Sequence, residues 1–185
     1  MAIHEKTTYT IAEYQRLMEQ SENTDRIVEL IDGELVEKMP SFTPSKIAAE
    51  IIFAIKLFLR ENPIGYVTTE GGGYIMPNGD ILIPDVGYVA KVHLPELPER
   101  EAPVPPDFAV EVKSPTDRKR ALRNKVERYL QHGTQLVWLV FPDERIVEVY
   151  VAGEDADVQT VTIDGILDGG SVLPGFTLKV SDIFA

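Results

Sequence analysis

Cysteine is absent from this 185-residue chain, which excludes disulfides, thiolate zinc sites, iron–sulfur clusters and cysteine nucleophiles. Histidine is scarce: His4, His93 and His132 are the only three, too scattered for a sequence-local zinc signature. No apolar run approaches the ~20 residues of a membrane span, and the N-terminal MAIHEKTTYT lacks the apolar centre of a signal peptide. The expectation is a soluble protein of a reducing compartment, most simply the cytoplasm. No Gly-Lys-Ser/Thr follows Gly71-Gly72-Gly73, so that run reads as a turn rather than a phosphate cradle. G-x-S-x-G is also missing. What remains is globular in composition, 44% apolar and 26% charged, and its length suits one domain spanning 1–185.

Basic residues are the minority, 18 against 30 acidic, for a net charge of −12. That sign is wrong for gripping nucleic acid with the whole surface. The distribution is uneven. Residues 113–128 hold seven bases (Lys113, Arg118, Lys119, Arg120, Arg123, Lys125, Arg128) and two acids (Asp117, Glu127), leaving −17 on the rest. Such a stripe either faces phosphates or is a solvated helix face that balances an acidic body.

Periodicity orders the chain. Thr10 and Glu13 are spaced as a capping box ahead of a short helix. RIVELIDGELVEK reads as a hairpin turning at Asp32-Gly33, a pair suited to positive φ. Residues 44–61 carry Ile47, Ala48, Ile51, Ile55, Phe58 and Leu59 on one helical stripe. Strands follow at 65–70, at 81–89 after an Asn78-Gly79 turn, and at 107–113 beyond a loop with five prolines. Ser114, Pro115 and Asp117 then suit the cap, first position and capping-box acid of a helix over 115–131, stopping at His132-Gly133. The all-apolar strand 135–141 is that of a sheet centre covered on both faces, with Trp138 in the core. RIVEVYVA and DVQTVTI finish as antiparallel strands before an apolar tail. The expected fold is α/β, a mixed sheet with an αβββαβ core flanked by helices and with added β-hairpins at both ends.

Strand 107–113 carries the sharpest chemical signal. Alternation sends Glu111 and Lys113 to one face, ~7 Å apart, and Phe108, Val110 and Val112 to the other. Charges at the end of an apolar strand are costly if buried unpaired, so they either fray into solvent or converge on a site. Asp85 follows ILIP on the preceding strand, where it is placed to neighbour Glu111. Close carboxylates repel unless a proton or a divalent cation lies between them. Oxygen-only ligands suit Mg²⁺ or Mn²⁺, and Lys113 beside such an ion would orient the attacking water or stabilise phosphoryl charge. Among other candidates, Asp107 reads as the strand's entrance and Lys125 as either a phosphate contact or a solvated helix lysine.

Pro84-Asp85 followed by Glu111-Val112-Lys113 resembles the PD-(D/E)XK motif of restriction-endonuclease-like nucleases, and the αβββαβ order matches their core. More narrowly, ELIDGELVEKMP, IPDVGYV, PPDFAVEVKSPTDR, then Lys125, Tyr129 and Gly133 leading into VWLV, and finally LPGFTL, resemble the Uma2 family over nearly the whole chain. The resemblance implies a metal-dependent endonuclease acting on DNA, with Asp85 and Glu111 as metal ligands and Lys113 as the catalytic lysine. It implies Mg²⁺ (or Mn²⁺) as the cofactor, backbone contacts from the basic helix, and a homodimer, because cutting two strands needs two sites. Pro44-Ser45-Lys46 stands where the family carries a histidine, so any role for that group is missing. Glu50 and Glu70 are candidates for an additional acid. Two alternatives stand beside this reading: a non-catalytic binding or assembly module, which the acidic surface favours, and a hydrolase of a small phosphate ester.

Overall fold

The computed structural model describes residues 8–23, 25–153 and 158–185. His4 and Asp157, the first residue of the expected strand DVQTVTI, lie outside these. In chain order the elements are α1 (Ile11–Met18), β1 (Ile27–Ile31), β2 (Glu34–Lys38), α2 (Phe42–Glu61), β3 (Gly65–Thr69), β4 (Tyr74–Ile75), β5 (Ile81–Leu82) and β6 (Val86–Ala90). They continue with β7 (Phe108–Val112), α3 (Lys119–Gln131), β8 (Leu136–Phe141), β9 (Ile146–Val151), β10 (Gln159–Val161), β11 (Ile166–Asp168), β12 (Thr177–Lys179) and α4 (Val180–Ile183).

The central sheet has the order β10-β9-β8-β7-β6-β3 and is antiparallel except for the β7–β8 pair. That one parallel pair is joined by α3, as a crossover requires. Alternation along β7 decides which helix covers which face. Phe108, Val110 and Val112 pack with Ile47, Ile51 and Ile55 of α2, whereas Ala109 packs with Leu122, Val126 and Tyr129 of α3. Glu111, two residues on from Ala109, therefore lies on the α3 face. β8 is buried along its whole length, as its unbroken apolar run demands, and Trp138 is in the core. The αβββαβ core and the mixed α/β class read from the sequence are those of the structure.

A second sheet, β2-β1-β5-β4, lies beside the first. Its β1–β2 hairpin turns at Asp32 (φ 51°) and Gly33 (φ 77°), both left-handed, as a two-residue hairpin turn needs. Val28 and Leu30 face Tyr14 of α1, whose N-terminus is closed by the expected box. Thr10 N–H donates to the Glu13 carboxylate at 2.8 Å, and Glu13 N–H donates to Thr10 Oγ1 at 3.3 Å.

Three boundaries differ from expectation. Helix 44–61 starts earlier, at Phe42. The single strand expected over 81–89 is two, β5 in the small sheet and β6 in the large one. Pro84, with no N–H to donate, stands at the joint. The helix expected over 115–131 begins at Lys119, because residues 114–117 close as a turn of their own. Asp117 N–H donates to the Ser114 carbonyl (3.2 Å) and Ser114 N–H to the Asp117 carboxylate (2.8 Å), while Ser114 Oγ pairs with Thr116 Oγ1 rather than capping a helix. Among the described residues, no helix is long and apolar enough to cross a membrane.

Candidate active site

The break at Pro84 places Asp85. β6 pairs with β7 in the register Val86↔Val110, so one further step sets Asp85 opposite Glu111. β6 starts at Val86, leaving the Val112 N–H without a strand partner; Asp85 Oδ2 accepts it at 2.7 Å. The other oxygen, Oδ1, receives the Lys38 ammonium at 2.8 Å. Lys38 is the last residue of β2 and also donates to the Ile83 carbonyl at 2.8 Å. Its ammonium stands 3.8 Å from Glu111 Oε2 and so bridges the two carboxylates.

Glu111 is 2% exposed and is held from the helix side. Tyr129 donates its hydroxyl to Oε1 at 2.8 Å, and Lys125 lies 2.8 Å from the same oxygen. Four residues apart, the two side chains stack on one face of α3. Lys125 reaches equally to Glu29 Oε1 at 2.8 Å, and that oxygen also accepts the Ile83 N–H at 2.6 Å. Glu29 is 3% exposed. On β1 it alternates with Val28 and Leu30, which face α1, so its carboxylate projects to the opposite side. All five charged side chains line one cavity of about 480 Å³ together with Glu70, Ser114 and Asn124.

Three carboxylates against two ammonium groups leave this cluster one negative charge in excess. Burial pushes the Glu111 pKa above the ordinary carboxylate value; Lys125 and Lys38 draw it back, and Asp85 and Glu29 push it further up. Burial works against the Lys125 ammonium, but the charges of Glu111 and Glu29 prevail and raise its pKa. The Tyr129 hydroxyl is raised well above its usual value by burial, then by Glu111 and Glu29, which keeps it a donor.

The donor chemistry fits a hard divalent cation. Asp85 Oδ1 and Glu111 Oε2 both face the point that Lys38 fills with a positive charge, while their other oxygens are committed to Val112, Tyr129 and Lys125. Among the described residues, no group of three or more His, Asp or Glu is arranged as a complete metal cage. Mg²⁺ needs none, since one or two carboxylates, water and substrate phosphate ordinarily suffice.

A family model described as "Uma2: Putative restriction endonuclease" matches residues 11–181. The chain belongs to the Uma2 family. A solved structure of "a putative nuclease belonging to DUF820" from Anabaena variabilis ATCC 29413 superposes with a TM-score of 0.79 at 23% identity, covering 95% of this chain and 97% of that one. No curated protein matches. The nuclease fold expected from the motif is thus the fold observed.

In this Uma2 chain the residues picked out by sequence separate into two groups. Asp85 and Glu111 meet, and Glu70 lines the same cavity. Lys113 goes elsewhere. Its ammonium donates to the Ser114 carbonyl at 2.9 Å and lies 3.8 Å from Asp143 Oδ2, outside the cavity lining. Glu50 is half-exposed and pairs with Lys46 at 3.6 Å. Asp107 caps the far end of β7, accepting the Ala90 N–H at 2.7 Å and pairing with His93 Nδ1 at 2.8 Å. Lys125 is neither of the things expected of it, being buried between two carboxylates.

Glu29, Lys38 and Tyr129 carry no role in the motif. Glu29 and Lys38 had a readable signal, since hairpin alternation puts them on one face with Ile27, Ile31 and Val36, an apolar face whose other charge, Glu34, sits at its turn end. Four bases of the stripe, all on α3, are paired with carboxylates of the same chain, some at the surface. Lys119 pairs with Glu144 (2.5 Å), Arg123 with Glu148 (2.5 Å), Lys125 with Glu29 and Glu111, and Arg128 with Asp32 (2.7 Å) and Asp80 (2.6 Å).

The Arg123–Glu148 pair should show in the pH dependence of stability. Burial raises the Glu148 pKa, but hydrogen bonds from Arg123 and Tyr150 outweigh it and leave the value below the ordinary one. Its stabilisation is therefore present above the unfolded carboxylate pKa, about 4.5, and is lost as pH falls through the lower folded value. Urea midpoints of wild type and Glu148→Gln should differ at pH 7 and converge toward pH 3. Midpoints that stay equally far apart would show that the pair does not titrate with folding.

Proposed function

We propose that this protein is a metal-dependent endonuclease that hydrolyses phosphodiester bonds of DNA, with Asp85 and Glu111 holding one Mg²⁺ or Mn²⁺. The observation that carries this reading is the convergence of those two carboxylates on one point of a cavity whose buried charges sum to less than zero. The bound ion would supply Lewis-acid polarisation of the phosphoryl oxygen and lower the pKa of a coordinated water. The protein's own groups prepare the place. Tyr129 and Lys125 fix the Glu111 carboxylate from one side, and the Val112 N–H fixes Asp85 from the other. In the hydrolysis, a water oxygen bonds to phosphorus as the P–O3′ bond breaks, and the departing 3′ oxygen takes up a proton. The family motif gives Lys113 the task of assisting that water. Cutting both strands calls for two such sites, hence a homodimer, acting in the reducing cytoplasm.

A small phosphate ester is the second reading, and one observation favours it. Several cations of α3 are already paired with carboxylates of the chain itself, so a long duplex would gain less counterion-release affinity than the bare count of bases promises.

The test is Mn²⁺ titration by calorimetry on wild type and Asp85→Ala, with plasmid cleavage followed in the same buffer. Binding and cleavage in the wild type, both lost in the variant, are expected. Binding without plasmid cleavage, but with release of phosphate from a small ester, would transfer the site to the second reading. A wild type that binds no Mn²⁺ would overturn both.

A further inference from the structure

We infer that Lys38, delivered by the N-terminal hairpin, serves this site as the lysine that the PD-(D/E)XK pattern assigns to Lys113, and that it holds the metal position in the ion's absence. The inference rests on the metal-binding reading of Asp85 and Glu111 and adds a residue that the motif does not contain.

The three lysines near the end of β7 differ in where their ammonium groups go. Lys113 turns to the Ser114 carbonyl and toward Asp143, whose side chain is 83% exposed. Lys125, which lines the same cavity, is held at 2.8 Å to both Glu29 and Glu111 and does not reach Asp85. Lys38 alone of the three reaches both proposed ligands, at 2.8 Å from Asp85 and 3.8 Å from Glu111, with its side chain 20% exposed. It is anchored to the backbone by a single carbonyl, that of Ile83. A divalent ion placed between Asp85 and Glu111 would meet this ammonium at short range. Like charges in a partly desolvated site repel strongly, so the flexible lysine side chain would move aside, staying tethered by β2 at the cavity wall. From there its N–H groups would face a phosphoryl group on the ion and stabilise its developing negative charge. One residue would thus serve as counter-ion to the two carboxylates and, with an ion bound between them, as a phosphate contact.

Three variants separate the possibilities: Lys38→Met, Lys38→Arg and Lys113→Met, each titrated with Mn²⁺ by calorimetry and assayed for plasmid cleavage at saturating Mn²⁺. Removing the competing charge should tighten Mn²⁺ binding by Lys38→Met about tenfold or more, while cleavage falls. Lys38→Arg keeps the charge and should bind Mn²⁺ as the wild type does. Lys113→Met should leave Mn²⁺ binding as in the wild type and lower cleavage less than Lys38→Met does. Melting curves give a readout independent of cleavage, with Mn²⁺ raising the Tm of Lys38→Met more than that of wild type. Mn²⁺ binding that Lys38→Met does not tighten, or cleavage lost in Lys113→Met and kept in Lys38→Met, would overturn the role of Lys38 and leave the metal site standing. No Mn²⁺ uptake by wild type or any variant would overturn the metal site and this inference together.

Discussion

Lys125→Met should destabilise the fold by about 3–5 kcal/mol. Lys125 lies at the centre of a buried triangle, 2.8 Å from Glu29 and 2.8 Å from Glu111. Methionine fills most of its volume, so the loss is one of charge rather than packing. What remains is two carboxylates, each under 4% exposed, with no cation between them. A buried ion pair adds little net stability when whole, but breaking it strands the survivor away from water. The variant's urea midpoint should therefore drop sharply. A second substitution, Glu29→Gln, should restore part of the loss by removing one stranded charge. Equal midpoints for wild type and Lys125→Met would show that Lys125 is not the counter-ion on which this cluster depends.

Glu111→Gln should have the opposite profile, abolishing cleavage while leaving the fold about as stable as before or more so. Glutamine preserves the shape and can still accept the Tyr129 hydroxyl. The charge count then balances, with Lys38 and Lys125 facing Glu29 and Asp85. The cost of burying Glu111 in ionised form disappears with it. Activity should fall by more than the ~100-fold that loss of an outer-shell partner costs a metal site, since a proposed ligand is gone. Denaturation and cleavage on the same preparation check both halves. An active Glu111→Gln would remove this residue from the chemistry.

The core of the fold was legible because its signals are local. Period-3.6 apolar residues in 44–61, the unbroken run in β8, the Asp32-Gly33 turn and the Thr10–Glu13 box each state their structure within a few residues. The failures share a cause as well. Pro84 in an apolar run reads as an edge residue, but nothing nearby says that the chain changes sheets there. Ser114-Pro115-Thr116-Asp117 has the composition of a helix start, yet the Asp117 carboxylate closed a turn before the helix could use it. The pairing of Asp85 with Glu111 followed from strand order, whereas the approach of Glu29 and Lys38 depends on how two sheets dock. Alternation on the hairpin marked both as charges on an apolar face, but not what they would meet. For Lys125 the difficulty was electrostatic: a helix lysine is ordinarily solvated, and it is Glu111 and Glu29 together, brought close only by the docking of the two sheets, that stabilise its ammonium away from water.

The seam at Pro84 also bears on the order in which the molecule can assemble. The groups of the site lie at positions 29, 38, 85, 111 and 125, and Ile83 touches two of them through its own backbone, Glu29 by its N–H and Lys38 by its carbonyl. The large sheet with α2 and α3 can form from neighbouring stretches, but the cavity closes only when the N-terminal hairpin arrives from more than forty residues away. Contacts of such separation are the slow ones in folding. A partly opened chain, its hairpin undocked, therefore carries Asp85 and Glu111 without their full set of partners, so that in this fold the finished site would be acquired last and lost first.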